Sequence, residues 1–474
     1  MQDHDTSRRS FLKQLSVGSA ALALPLLSRC SAKSNSKPNV LIVFCDDLGY
    51  GDLGSFGHPT IRTPNLDHMA MNGQKWTSFY AAASVCTPSR AGLMTGRLPV
   101  RSGMCSDRRR VLFPDSAKGL PQSEITIARA VKEQGYRTAC VGKWHLGHLE
   151  PYLPTSHGFD YYFGIPYSND MDKLKRLTIE EQMAPKVEYY NVPLMRNTEV
   201  IERPADQNTI TKRYTEETIK FIRDNQSEPW FVYLAHTMVH IPLFASEEFE
   251  DTSTRGLYGD TVEEIDWGLG QILKTLKEIG QDKNTLIVFT SDNGPWLPFM
   301  EHGGSAGLLR DGKGTTWEGG MREPTIFYWP GKIEPKIVTG IGSTLDLFAT
   351  VAALTGAEVP QDRVMDSYDL TPTLFEGKPS PRNEMFYYRG QQLYAARKGS
   401  FKAHFITETA YIADSNRTEH NPPLLFNLDH DPGEHYELGD EYPEVIEEIN
   451  TLVEEHQANL VKGEDQLVER IETL

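Results

Sequence analysis

Two repeating patterns organise the apolar positions of this chain. Continuous apolar, β-branched-rich runs stop abruptly at polar residues: 39–45, which ends at Asp46-Asp47, and then 138–141, 230–235 and 285–290. Such runs predict strands buried on both faces of a parallel sheet. Between them, apolar residues recur at helical spacing over 126–134, 214–225 and 262–279. Strands alternating with helices predict a doubly wound α/β sheet. From about Arg382 the runs shorten to 385–389, 393–398, 401–405 and 424–427, followed by a glutamate-rich helical stretch at 443–462. A small antiparallel sheet with one packed helix is expected there.

Composition narrows the picture. At 474 residues the chain suits a large α/β domain with a smaller partner. The expected organisation is 1–37 as a leader and linker, 38–381 as the main α/β domain and 382–474 as an α+β subdomain. Ser7-Arg8-Arg9-Ser10-Phe11-Leu12-Lys13 precedes an apolar run at 15–27 that is short for a membrane span. This is the pattern of a twin-arginine export signal, with the twin-arginine translocase as partner and the periplasm as destination. Leu27-Ser28-Arg29-Cys30 follows a lipoprotein box except at Arg29, where a small residue is expected. A free periplasmic protein and one anchored through lipid on Cys30 therefore both stand as expectations. Beyond the N-terminus no stretch is long and apolar enough to span a bilayer, so the body is expected to be soluble. The formal charge of -17 excludes nucleic acid as a partner and requires any anionic substrate to meet a locally basic site. Five cysteines at irregular spacing give no disulfide framework, and Cys45 and Cys140 read as small buried hydrophobes.

Candidate chemistry gathers at the run ends. Asp46-Asp47 follows the first run, and Ser291-Asp292-Asn293-Gly294 closes another, where open α/β sheets place their ligands. Three carboxylates and an amide oxygen form a hard donor set suited to calcium or magnesium rather than zinc. Either pair alone is ordinary turn chemistry. The segment Cys86-Thr87-Pro88-Ser89-Arg90-Ala91-Gly92-Leu93-Met94-Thr95-Gly96-Arg97 reads, on physics alone, as a buried cysteine opening a helix with Pro88 in its first turn.

That segment resembles the signature of the type I, formylglycine-dependent sulfatases, C-x-P-S-R followed by Thr-Gly. The resemblance covers nearly the whole chain beyond the leader and is closest to the arylsulfatase A and N-acetylgalactosamine-6-sulfatase branch. It implies an alkaline-phosphatase-like doubly wound mixed sheet with a smaller C-terminal antiparallel sheet plus helix. It implies that a formylglycine-generating or sulfatase-maturing enzyme oxidises Cys86. Asp46, Asp47, Asp292, Asn293 and residue 86 become the expected ligands of calcium, with magnesium the lesser alternative. Gly142-Lys143-Trp144-His145-Leu146-Gly147 and Gly312-Lys313-Gly314-Thr315-Thr316 match the family's sulfate-binding lysines, and His145 its histidine beside the nucleophile. His240-Ile241-Pro242 matches a second histidine, and Ser168 in Gly164-Ile165-Pro166-Tyr167-Ser168 matches, less specifically, a further site residue. Arg90, Lys143, Lys313 and the cation would supply the local positive charge.

The implied activity is hydrolysis of a sulfate ester on a carbohydrate or aryl group. Two alternatives stand beside it. One is a phosphate or phosphonate monoester hydrolase of the alkaline-phosphatase superfamily. The other is a non-catalytic binder of sulfated glycans, should Cys86 stay unmodified. His236 is expected to line the pocket from behind and His302 to sit at its rim. Arg108-Arg109-Arg110 reads as a solvated loop, with contact to an anionic polymer the alternative. Substrate selection is expected from 171–197 and from the C-terminal subdomain.

Overall fold

The first run is β1 (Asn39–Cys45), near the middle of a ten-stranded sheet in a computed structural model that describes residues 37–411 and 416–472. The export signal and Cys30 lie outside the described residues. The other strands are β2 (Gln74–Tyr80), β3 (Arg137–Gly142), β4 (Tyr161–Gly164), β5 (Leu194–Arg196), β6 (Glu199–Glu202), β7 (Trp230–Ala235), β8 (Thr285–Ser291), β9 (Arg322–Tyr328) and β10 (Lys336–Ser343). Their order is β10-β2-β9-β8-β1-β7-β3-β4-β5-β6. β8, β1, β7, β3 and β4 run parallel, whereas β9, β5 and β6 pair antiparallel with their neighbours, so the sheet is mixed.

Alternation along β1 shows why both faces are covered. Leu41, Val43 and Cys45 pack on one side with residues of the helices Ile210–Asp224 and Leu257–Glu278. Val40, Ile42 and Phe44 pack on the other with Cys86–Thr95, Ile127–Lys132 and Asp346–Thr355. These six side chains are fully buried, and Val40, Leu41, Ile42, Val43 and Phe44 are each worth about 1.5–3 kcal/mol by removal from water. Ile42→Ala would cost about 2–5 kcal/mol through the cavity it leaves.

β9 escapes the apolar-run reading because Pro324 interrupts it, and proline is unusual inside a sheet. The structure accommodates it where pairing lapses: the β2–β9 register shifts between Trp76 and Phe79, and β8 pairs with β9 at Ile326, Phe327 and Tyr328, beyond the proline.

The small sheet is a simple meander of β11 (Glu384–Arg389), β12 (Gln392–Lys398), β13 (Phe401–Thr407) and β14 (Thr418–Asn427). The helix Pro443–Ala458 covers one face, setting Ile446, Ile449 and Val453 against Ala396, Ala403 and Leu425. Met385, Tyr387 and Ala395 pack with Tyr80, Met321 and Ile341 of the main body. This is the antiparallel sheet plus helix that the sequence predicts, with the helix ending four residues early.

Candidate active site

Register brings the candidate residues together. Cys45 lies opposite Ser291, Phe44 opposite Ala235, and Ala235 opposite Gly142 across four adjacent parallel strands. The next residue along each strand is therefore Asp46, Asp292, His236 or Lys143, side by side at the carboxyl edge of the sheet. Gly142 is required there, because its φ is +115° and a Cβ would lie 1.8 Å from the Ala235 carbonyl oxygen. Cys86 opens the wholly buried helix Cys86–Thr95, and Arg90, one turn on, shares its face.

Asp46 sits at the centre. The Cys86 thiol donates to its Oδ1 at 3.3 Å, and the Lys143 ammonium lies against its Oδ2. Arg90 places Nη2 2.8 Å from Asp292 Oδ2 and donates from Nη1 to the Lys143 carbonyl at 3.0 Å. Lys313 Nζ lies 2.7 Å from Asp47, and Asn293 Nδ2 donates to Asp47 Oδ1 at 2.7 Å. Ser168 Oγ accepts from Lys143 Nζ at 3.2 Å and lies 3.4 Å from His240 Nε2. Every residue that sequence placed in the site is thus within this cluster or bonded to it, except His145, which joins through the backbone. Thr87 Oγ1 donates to the His145 carbonyl at 3.0 Å and accepts the Leu112 amide at 3.1 Å.

The two imidazoles are set by backbone carbonyls. His145 Nε2 lies 2.9 Å from the Leu112 carbonyl oxygen, so it carries the proton, and buried Nδ1 is left without a partner. His240 Nδ1 lies 2.5 Å from the Ile241 oxygen, which leaves Nε2 facing Ser168 and Asp47, the latter at 3.6 Å. Burial holds both imidazoles well below the ordinary histidine range, with Lys143 adding to the effect at His145 and Lys313 at His240. Both are neutral near pH 7, each with one ring nitrogen available.

Burial and then Asp46 push the Cys86 thiol well above its usual range, so it is not a thiolate. Asp292 is pushed up to about 7 by burial and then by Asp46, and Asp47 to about 6 by burial against the pull of Lys313. At Asp46 burial is outweighed, first by Lys143, and the carboxyl falls well below the carboxylate range. Three buried carboxylates thus face three buried cations, an approximate balance to which a divalent ion would add net positive charge.

The donor set fits a hard cation. Ligand atoms of Asp46, Asp47, Cys86 and His240 lie within 4.8 Å of one another, and buried Asn293 Oδ1 has no hydrogen-bond partner. An unmet buried acceptor costs about 1–3 kcal/mol, which an ion would relieve. Carboxylate and amide oxygens suit calcium or magnesium.

Two residues escaped the sequence reading. Trp296 stacks between the site and its surroundings, 5.2 Å from His240 by ring centroid, with Lys313 Nζ 4.3 Å from its ring. Tyr411 lies 4.9 Å beyond it. Trp296, three residues after Asn293, had a positional signal; Tyr411, in a distant loop, had none. His236 is buried at the end of β7 with Nδ1 unpartnered, and burial lowers it to about 3. His302 is also buried, with Nδ1 unpartnered. In the arginine run, Arg109 is paired with Asp115 at 2.5 Å, Arg108 is part of the exposed loop, and Arg110 lies over the Tyr411 ring at 4.5 Å.

Comparison with known proteins shows the family. The family profile described as Sulfatase matches residues 38–357, and that described as C-terminal region of aryl-sulfatase matches 380–473. Arylsulfatase A of Bos taurus is 41% identical, over 94% of this chain and 91% of its own length. N-acetylgalactosamine-6-sulfatase of Mus musculus is 39% identical, over 94% and 91%. Among solved structures, the PsFucS1 sulfatase from Pseudoalteromonas sp. superposes with a TM-score of 0.81 at 30% identity, covering 91% of this chain and 93% of that one.

Proposed function

The chain belongs to the sulfatase family and is a sulfuric ester hydrolase; from that premise we propose that it removes sulfate from a sulfated carbohydrate, using a formylglycine made from Cys86 and a bound calcium ion. The observation that carries this reading is the setting of residue 86: a buried thiol that donates to the central Asp46 carboxylate, in a cluster that also holds the cations Arg90, Lys143 and Lys313, and that its surroundings keep neutral.

Asp46, Asp47, Asp292, Asn293 and residue 86 would hold the cation, which supplies Lewis acidity toward a sulfate oxygen when bound. Converted residue 86 supplies a hydrated aldehyde as nucleophile. Arg90, fixed between Asp292 and the Lys143 carbonyl, keeps the first turn of its helix, and so residue 86, in place. Lys143 and Lys313 bring positive charge to the sulfate oxygens and to the charge that develops on them. His240 Nε2 delivers a proton to the departing alcohol; the negative ester beside it raises its affinity for that proton. His145 Nδ1, unpartnered and neutral, would take the proton from the second hydroxyl of residue 86, the one not bonded to sulfur, so that the C–O bond to sulfate breaks, sulfate leaves and the aldehyde re-forms.

Residue 86 is only 1% exposed, so a maturing enzyme must reach it before the helix Cys86–Thr95 packs. With export by the twin-arginine route, which carries folded chains, conversion belongs to the cytoplasm and the working enzyme to the periplasm. The test is the mass of the tryptic peptide spanning Cys86 from active protein, together with Cys86→Ala. An aldehyde in that peptide and loss of turnover by a folded Cys86→Ala protein are expected. Unmodified cysteine throughout an active sample would refute the reading.

A further inference from the structure

Beside the charge cluster, a cavity of about 410 Å³ lies between the catalytic body and the C-terminal sheet. Val85 and Pro88, which flank Cys86 in the chain, and Gly314, which follows Lys313, form part of its wall. Arg110 and Arg389 contribute guanidinium groups from opposite parts of the fold.

The charges around the cavity are unequally satisfied. Arg389 Nη2 pairs with Glu408 at 3.1 Å, and Nη1 donates to the Glu408 and Thr409 carbonyls at 3.3 and 3.1 Å. Glu408 also accepts the Tyr394 hydroxyl at 2.6 Å. Asp107 Oδ1 is taken by the Gln391 amide at 2.7 Å. Arg110 has no carboxylate partner among the described residues. Its guanidinium lies 4.5 Å from the Tyr411 ring with an N–H turned toward the Tyr411 hydroxyl, which holds the planar fork while its other N–H groups meet no acceptor among the described residues. Burial, and then the nearby Arg110 charge, lower the Arg389 pKa; two cations thus meet where one carboxylate serves only one of them. This is a positive spot on a chain whose formal charge is -17.

The spot is coupled to the site by a short aromatic path. Lys313 Nζ lies 4.3 Å from the Trp296 ring, Trp296 lies 4.9 Å from Tyr411, and Tyr411 lies 4.5 Å from Arg110. The direct interval is shorter, since Arg110 Nη1 lies 3.0 Å from where a Cβ would stand on Gly314, the residue after Lys313, so a group on the sugar next to the reacting one can reach it.

We propose that this cavity is a second anion subsite, in which Arg110 receives a carboxylate or a further sulfate carried by the substrate glycan next to the ester being cleaved. The proposal rests on the sulfated-carbohydrate reading above and narrows it to glycans with at least two closely spaced negative groups. Arginine forks bind both carboxylate and sulfate through paired, charge-assisted hydrogen bonds, so the shared chemistry leaves the two sources to experiment.

The test measures kcat/KM for converted wild type, Arg110→Gln and Arg110→Lys on four esters. These are an aryl sulfate, a neutral monosulfated disaccharide, a monosulfated disaccharide with an adjacent uronate, and a disulfated disaccharide. Wild type should favour at least one dianionic disaccharide over the neutral one by tenfold or more, and which one identifies the bound group. Arg110→Gln should remove most of that ratio and Arg110→Lys should retain part of it, with both ratios falling as salt rises. Equal kcat/KM for neutral and dianionic disaccharides in wild type, or a ratio untouched by Arg110→Gln, overturns the subsite. Continued turnover of the aryl sulfate or the neutral sugar in that case leaves the underlying function standing. Failure of converted wild type on every sugar sulfate, with aryl sulfate still cleaved, overturns the carbohydrate reading and the subsite together.

Discussion

Replacing Lys402 with methionine should destabilise this enzyme severely and weaken catalysis, although Lys402 belongs to the small C-terminal sheet. Its side chain is fully buried on β13. Nζ donates to the Thr316 carbonyl at 2.8 Å and Glu318 Oε1 at 2.9 Å, and lies 3.0 Å from Glu434 Oε1. Glu434 also meets His404 Nε2 at 2.7 Å and accepts the Glu318 amide at 2.7 Å. Methionine keeps the volume but leaves two buried carboxylates without their shared cation. Breaking a buried ion pair from one side costs about 3–5 kcal/mol, and the orphaned Thr316 carbonyl adds about 1 kcal/mol or more. Set against a total stability of about 5–15 kcal/mol, that is a large fraction. Burial alone would raise Glu318, but Lys402, then Arg322 and Arg397, outweigh it and hold the carboxyl at about 2, against an ordinary 4.5. A lowered carboxyl stabilises the fold fully above 4.5 and loses that contribution as pH falls toward 2, here on the order of 3 kcal/mol. Lys402→Met should therefore be less sensitive than wild type to acid between pH 4.5 and 3. The assay is urea unfolding followed by tryptophan fluorescence at pH 7.5 and across the acid range, with turnover of an aryl sulfate measured in parallel. Thr316 lies three residues beyond Lys313, so kcat/KM should fall with stability. Adding Glu318→Gln should recover part of the loss, because the two sites share one interaction. A stability loss under about 1 kcal/mol at pH 7.5 would refute the reasoning.

Two further expectations concern the site itself. Asp292 and Asp47, raised to about 7 and about 6, favour the protonated folded state, so metal-free protein should gain stability as pH falls from 8 to 5.5, while calcium affinity weakens over the same range. Melting curves with calcium and with chelator at both pH values check this; at a hundredfold excess over Kd, calcium should add about 2.7 kcal/mol, and a stabilisation that grows toward acid would count against carboxylate ligation. Ser168→Ala removes one neutral partner of Lys143 and His240 and should lower kcat/KM by roughly tenfold or less, about 1 kcal/mol; a loss of a thousandfold in steady-state assays would show that Ser168 does more than accept these bonds.

The parts of the fold that sequence exposed are those where one physical signal dominates. β1, β3, β7 and β8 are buried on both faces, so uninterrupted apolar runs mark them, and the residues that follow each run are the site. β2 was missed because Gln74, Lys75, Thr77 and Ser78 break its apolar pattern, and β9 because Pro324 does so at a lapse in pairing. The resemblance carried by 86–97 identified Arg90 and the cysteine, which physics alone would have left as core. Trp296 offered only its place three residues after Asn293, and Tyr411 could not be read at all, since their importance arises from rings that meet only after distant loops close. Lys402, Glu318 and Glu434 were equally hidden: each looks like a surface charge until the two sheets pack and dehydrate them.

The level strand ends also govern how this chain can change length. A residue inserted within β1 would slip its register by about 3.3 Å and turn each following side chain to the opposite face, separating Asp46 from Asp292 and Lys143 at once. An insertion in a connection between strands leaves the strand ends where they are, but it is tolerated only away from Cys86, Ser168, His240 and Lys313, which the connections of the large sheet themselves carry. Around the cavity that Arg110 faces, growth and loss of sequence can therefore accumulate in the connections of the small sheet, such as the turn at Gly390, which contribute no residue to the charge cluster. Exchanging those connections, rather than redesigning the strands, is the economical way to give this scaffold a new sugar preference.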